Sequence, residues 1–398
     1  MPTMSLVEEE LGGPTVFKDL GKLDFDYVPD NLPGREEEIR ALTGIYRGLT
    51  QGAAREHALV TGPVGTGKTA IVKSFGRDLQ RFLKTRQQKT LERVHVNCRK
   101  HKSAGLVLLQ VLNHFEPNYP ERGFSTGEML RDLRRWLDRR QCHLLVVLDE
   151  VDALLRTDGS NLVYDLTRFN DETGPSWQGI SLILVSQENV LGLLDPAALS
   201  TFKQTNVLSI KPYTSPQLER IVAQSVELAF QPGTVDGDTV CLVADIAAQE
   251  GNARLAIEIL QKAGQLADDE GKGAVGPDEV RAAKADSYSY ITASKLLQMP
   301  KHPLLVLLAL ARRLRRDQSA YATTGNVEEA YARVCEEFGE EPRAHTQFWK
   351  YLKQLQDAGL ILSRLSGKGQ AGTTQNLSIP DAPAPIVERK VAEILAKM

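Results

Sequence analysis

The chain has 398 residues, with 48 Lys and Arg against 51 Asp and Glu and a formal net charge of −3. It has room for two or three domains, but no overall excess of positive charge to attract nucleic acid. Its composition, 42% hydrophobic and 25% charged, is that of a globular protein and excludes a disordered chain.

Residues 1–14 (MPTMSLVEEELGGP) read as a flexible tail, acidic and without the basic-then-apolar order of a secretory signal. Beyond residue 15 the chain alternates short β-type runs with longer helical stretches. The β-type runs are 57–61 (HALVT), 93–97 (RVHVN), 144–148 (LLVVL), 181–186 (SLILVS) and 206–209 (NVLS). This alternation predicts an α/β core, a parallel sheet with helices on both faces. The alternation stops near Lys211. There Thr214 or Ser215 caps a helix with Pro216 in its first turn, and an all-helical segment follows to about residue 285. A third unit has helical stretches at 302–317, 326–338 and 344–358, the last stopped by Gly359. Two strand-like runs, 360–365 and 375–379, flank a glycine-rich tip. Three helices and a hairpin predict a winged helix-turn-helix. The longest apolar run, 303–311, is too short to span a membrane and reads as a buried helix. Cys98, Cys142, Cys241 and Cys335 form no CxxC pair, which argues against zinc or a disulfide framework and fits a reducing cytoplasm.

The run Gly62-Pro63-Val64-Gly65-Thr66-Gly67-Lys68-Thr69 matches the phosphate loop GxxxxGK[ST] in full, and with Ala70 these residues are the candidate nucleotide contacts. Glycines let backbone amides turn inward around phosphate oxygens, and the helix presents its positive end. Lys68 is expected to neutralise the β/γ-phosphates of ATP or ADP, and the Thr69 hydroxyl to coordinate Mg²⁺. Residues 144–148 end in Asp149 and Glu150. This puts Asp149 at the carboxyl end of a buried strand, where open α/β sheets bind ligands. Asp149 is then a second Mg²⁺ ligand, and Glu150 the group that orients or deprotonates the attacking water. Gln187 and Asn189, just past the next strand, are candidates to hold that water. Arg254, in the run GNAR at 251–254, is a candidate to touch the γ-phosphate.

The order of these segments resembles the archaeal replication-initiator family, AAA+ ATPases similar to the eukaryotic origin recognition complex and its cell-division-cycle partner. The resemblance runs from about residue 16 to 379. The stretch 27–37, YVPDNLPGREE, resembles the box that packs on adenine, and Pro212-Tyr213 the passage into a helical lid. GNAR resembles the second sensor, and 96–99 (VNCR) the strand end before the family's helical insertion. The resemblance implies a 15–212 AAA+ domain, a 213–295 lid and a 296–398 winged-helix domain. It implies nucleotide contacts from Val28, Pro29, Arg35 and Tyr213, and γ-phosphate sensing by Arg254. Two departures stand out. Gln187 occupies a position that is usually asparagine, and no arginine follows Leu194-Asp195-Pro196. Lacking an arginine finger there, the chain is expected to hydrolyse ATP slowly.

The near-zero charge is unevenly spread. Residues 300–398 carry 14 basic and 11 acidic side chains, net +3, and the remaining residues are net −6. The second helix of a helix-turn-helix enters the major groove. This makes Arg343, His345, Gln347 and Lys350 candidate DNA contacts, joined by Arg364 and Lys368 on the wing. Phe348, Trp349, Tyr351 and Leu352 read as core anchors. The insertion implies a further DNA contact through Arg99, Lys100 and Lys102. The expectation is an ATP-dependent initiator that binds double-stranded origin DNA and helps recruit a replicative helicase of the minichromosome-maintenance type. It would be cytoplasmic and nucleoid-associated, with no membrane contact, a monomer in solution and in several copies on DNA. The competing readings are a winged-helix signalling ATPase and another AAA+ protein acting on a protein partner.

Overall fold

The computed structural model describes residues 13–51, 56–87, 89–157, 159–169, 171, 177–199, 202, 206–365 and 375–398. The wing tip, with Lys368, and most of the 1–14 tail lie outside the described residues. The chain divides into two units, Val28–Tyr213, and Met1–Tyr27 together with Thr214–Met398.

The Val28–Tyr213 unit is built on five parallel strands: β1 (His57–Thr61), β2 (Thr90–Asn97), β3 (Cys142–Asp149), β4 (Gly179–Ser186) and β5 (Val207–Ser209). They lie side by side in the order β2-β3-β4-β1-β5. Every residue of β1, β3 and β4 is buried, because helices cover both faces. Alternate residues serve opposite cores: Leu144, Val146 and Leu148 face one, Leu145 and Val147 the other. Helices α1 (Glu36–Ile45) and α2 (Lys68–Gln87) belong to the second of these faces. Helices α3 (Ala104–Phe115), α4 (Thr126–Arg140) and α5 (Gly159–Arg168) bury Leu108, Leu133 and Leu162 in the first. Ser103 caps α3 through the Leu106 amide, and Ser125 and Glu128 form a reciprocal capping box on α4.

The second unit begins with the helices α6 (Ser215–Ala229), α7 (Gly237–Ala248), α8 (Ala253–Asp269) and α9 (Pro277–Leu297). Residues 15–27, grouped by the sequence reading with the AAA+ domain, pack instead on these helices. The amides of Lys18 and Asp19 donate to the Ala229 carbonyl, and the Phe17 ring lies 4.8 Å from that of Phe230. Gly264 on α8 leaves room for Phe17, which a Cβ would strike.

The winged helix follows: α10 (Lys301–Asp317), α11 (Thr324–Glu337) and α12 (His345–Asp357), with β6 (Ala322–Thr323), β7 (Leu362–Leu365) and β8 (Gln375–Ser378) as an antiparallel sheet ordered β6-β8-β7. The apolar run at 304–311 is buried on every side. A helix hydrophobic all round must be central, and α11, α12 and a C-terminal helix α13 (Ala384–Leu395) surround α10. Neither β6 nor α13 was predicted. Among the described residues, no helix is long and apolar enough to cross a membrane.

Arg281 on α9 ties the helical segment to the winged helix. Its side chain is 1% exposed. Its guanidinium donates to the carbonyls of Ile379, Ser319 and Ala320 and pairs with Asp278. Ala320 and Ile379 are buried with it, so Arg281→Ala is expected to cost about 3 kcal/mol or more in unfolding free energy. Denaturant unfolding of the variant checks this; a loss under about 1 kcal/mol would contradict it.

His57 in β1 is 3% exposed, and burial, with His143 nearby, pushes its pKa down to about 4. Its folded pKa is therefore below the unfolded value, and the unfolded chain takes the proton first as pH falls. Stability is intact above roughly pH 6.5 and declines towards pH 4, by up to about 3 kcal/mol from this group. His57→Leu is expected to flatten the slope of unfolding free energy between pH 6.5 and 4.5; an unchanged slope would contradict it.

Candidate nucleotide site and nucleic-acid interface

The phosphate loop joins β1 to α2, and its glycines are required by shape. Gly62 has φ 149° and Gly67 φ 82°, values that L side chains rarely adopt. A Cβ on Gly62 would lie 2.5 Å from the Ile210 carbonyl oxygen, and one on Gly67 2.7 Å from the Tyr213 hydroxyl. Thr66 is buried and donates its hydroxyl to the Pro63 carbonyl. Lys68 Nζ donates to the carbonyls of Gly62 and Pro63 at 2.7 and 2.8 Å. Burial pushes the Lys68 pKa down, against the pull of Asp149, Glu150 and Asp152. Val64 stands half exposed at the loop's crest.

Thr69 and Asp149, eighty residues apart, meet: Thr69 Oγ1 donates to Asp149 Oδ2 at 2.6 Å. The Glu150 amide donates to Oδ1 at 2.9 Å, and His95 Nε2 lies 3.1 Å from Oδ2. Burial acts to raise the Asp149 pKa, but hydrogen bonds from His95, Thr69 and the Glu150 amide outweigh it and hold the carboxyl below its ordinary range. Glu150 adopts a left-handed backbone, φ 53° and ψ 44°, an uncommon conformation for a non-glycine residue that concentrates at functional sites. Arg99 Nε lies 3.3 Å from Glu150 Oε2. The structure thus brings a candidate DNA contact against the candidate general base. Gln187 is exposed just beyond β4, and Asn189 accepts from the Leu191 amide.

The expected adenine-side residues also have defined places. Arg35 is buried, donates to Glu38 and the Lys211 carbonyl, and lies 3.6 Å over the Tyr213 ring. Val28 and Pro29 offer their carbonyls to Arg77, which also pairs with Asp30 at 3.3 Å. The sequence reading missed both Arg77 and His95. Arg254 belongs to the second unit, where Asn252 caps its helix and its guanidinium lies 4.4 Å over the Phe25 ring.

On α12, Phe348 and Leu352 are buried, and Trp349 and Tyr351 pack partly against the core. This leaves Gln347, Lys350 and Lys353 exposed along one side, with Arg343 exposed just before the helix. Three of the winged-helix candidates for DNA contact are engaged within the chain. His345 Nδ1 lies 2.8 Å from Glu328. Arg364 pairs with Glu219 at 2.8 Å and lies 3.7 Å from Asp245, both on lid helices. Arg343 Nε donates to His302 Nε2. Lys100 and Lys102 are exposed beside Arg99.

The obstruction at Gly67 comes from a side-chain hydroxyl, while that at Gly62 comes from a backbone carbonyl. Gly67→Ala is expected to lower the stability of its unit by about 1–3 kcal/mol, and Tyr213→Phe in the same chain to restore part of it. Gly62→Ala has no such remedy. A double-mutant cycle with no coupling between positions 67 and 213 would contradict this.

Three family models match consecutive parts of the chain: an AAA domain over residues 52–194, the Cdc6 AAA+ ATPase-type lid domain over 219–285, and the CDC6 C-terminal winged helix domain over 295–389. The chain is 34% identical over 376 residues to ORC1-type DNA replication protein 2 of Saccharolobus solfataricus, covering 92% of this chain and 91% of that protein. It is 30% identical over 387 residues to the ORC1-type DNA replication protein of Pyrococcus abyssi, covering 96% and 91%. Among solved structures, Cdc6p of Pyrobaculum aerophilum superposes with a TM-score of 0.83 at 26% identity, covering 96% of this chain and 99% of that one. The Aeropyrum pernix ORC1 protein in complex with DNA gives 0.61 at 30% identity, covering 96% and 98%. The chain belongs to the ORC1/Cdc6 family of AAA+ replication initiators, with the AAA+ core, helical lid and C-terminal winged helix of that family.

Proposed function

We propose that the protein is an ATP-dependent replication initiator: it binds double-stranded origin DNA, helps recruit a replicative helicase, and uses ATP binding and slow hydrolysis as its switch. The observation that carries this reading is the joint presence of a phosphate loop facing an ordered carboxylate and a winged helix with one polar face open. A relative at 30% identity was solved in complex with DNA, which supports the DNA partner.

The residues suit an ATP–Mg²⁺ complex. Gly62 and Gly67 keep the loop free of side chains, and the loop amides and Lys68 provide donors for the β- and γ-phosphates. Thr69 Oγ1 and Asp149 supply the hard oxygen ligands that Mg²⁺ prefers. Bound there, Mg²⁺ would neutralise charge on the phosphate oxygens. Glu150 then orients water and accepts its proton, provided Arg99 yields its carboxylate. Gln187 holds the water through its amide, and Arg254 senses the γ-phosphate. The stretch after Leu194-Asp195-Pro196 offers no arginine finger, so hydrolysis runs slowly. The protein acts in the cytoplasm, on the nucleoid, as a monomer that assembles in several copies on DNA.

On DNA, Arg343 and Lys350 hold phosphates and Gln347 reads a base edge. Fluorescence anisotropy with duplexes carrying candidate origin repeats tests this in the full chain. Arg343→Ala/Lys350→Ala is expected to weaken binding at least about tenfold and to reduce the magnitude of the salt slope by about 2. Affinity equal to the parent's at every salt concentration would overturn the assignment of α12.

A further inference from the structure

We propose that His95 is a positioning residue for the Mg²⁺ site, holding the Asp149 carboxylate in the orientation that receives the ion. The inference rests on the nucleotide reading above and adds to it a residue from a neighbouring strand that no phosphate-loop motif contains.

The geometry starts from strand register. β2 and β3 run parallel, with His95 opposite Val147 and Asn97 opposite Asp149. Side chains two residues apart on a strand share a face, so His95 stands diagonally across from Asp149. Its ring crosses that diagonal, with Nε2 3.1 Å from Oδ2. Asp149 is an ionised acceptor, so Nε2 carries the proton and donates. His95 Nδ1 is buried and has no hydrogen-bond partner. The imidazole therefore makes one polar contact among those described, and that contact is to the carboxylate.

The consequence is a carboxylate fixed at both oxygens. The Glu150 amide holds Oδ1, and Thr69 and His95 converge on Oδ2. Without His95, Oδ2 keeps only Thr69, the side chain that is itself to bind the ion. Carboxylate rotation then costs less, and part of the ion's binding energy goes into ordering its ligand. Groups that orient a metal ligand typically contribute 10–100-fold in affinity. His95 has no comparable part in strand pairing, because the β2–β3 ladder joins backbone groups from Thr90–Cys142 to Asn97–Asp149.

The test uses the full chain and a fluorescent mant-ATP, titrated with nucleotide in EDTA and then with MgCl₂. His95→Phe keeps a planar ring and removes the donor. His95→Gln places an amide N–H at similar reach. The His95→Phe protein is expected to bind mant-ATP in EDTA within about twofold of the parent, yet to need about tenfold more Mg²⁺ for half-maximal response. His95→Gln is expected to recover most of that shift. A Mg²⁺ midpoint in His95→Phe within twofold of the parent would overturn the proposal. So would equal losses with and without Mg²⁺ together with lowered thermal stability, the mark of a purely structural role. If the parent itself binds no mant-ATP, the nucleotide reading fails, and the proposal with it.

Discussion

A carboxylate buried at the end of a central strand is costly unless donors surround it. Asp149 is 5% exposed, and three groups from separate parts of the chain meet that demand: Thr69 at the start of α2, His95 on β2 and its neighbour's amide. This constraint organises the Val28–Tyr213 unit. It requires β2 beside β3 in parallel register, so that His95 can reach across. It requires the phosphate loop to end where Thr69 meets β3, although β4 lies between β1 and β3. It leaves Glu150 just past the strand, in a left-handed backbone with its carboxylate beside Arg99.

A different set of constraints governs the C-terminal unit. There the winged helix is joined to the lid helices by charged and polar groups: Arg281 with the carbonyls around Ser319, Ala320 and Ile379, Arg364 with Glu219 and Asp245, and Tyr321 with Asp245 at 2.7 Å. The net +3 of residues 300–398 is thus partly spent inside the molecule. Arg364 pairs with acids outside that window; the pairs of Arg312 with Glu337 and Glu388, and of Arg313 with Asp317, are already counted in the sum. On α12, Gln347, Lys350, Lys353 and Gln354 are exposed on one side, which favours placed contacts over general attraction to polyanions.

Local chemistry was legible in the sequence. The phosphate loop, the apolar strand ending in Asp149-Glu150 and the three helices of the winged domain depend on spacing within short windows. What the sequence concealed depends on register between distant segments. His95 and Asp149 are 54 residues apart, and only the parallel pairing of β2 with β3 makes them neighbours. Arg281 is a lone arginine in a helix, with nothing local to mark it as buried. Residues 15–27 precede the nucleotide-binding motifs and were grouped with them, yet Phe17 finds its cavity at Gly264, on the far side of the chain. β6 spans two residues, too few for any pattern. The helix α13 did carry a signal, with Ala384, Val387, Val391 and Leu395 at helical spacing and all buried. Its Pro-rich approach obscured that signal.

The proposed function depends most directly on the phosphate loop, with Lys68 as its one cation, binding the phosphates of ATP. The most direct measurement is isothermal titration of ATP–Mg²⁺ into the full chain and into Lys68→Ala, with thermal unfolding to show that both are folded. Saturable one-site binding is expected for the parent, and its abolition, a loss of at least about a hundredfold, in the folded variant. ATP affinity in folded Lys68→Ala equal to the parent's would contradict it.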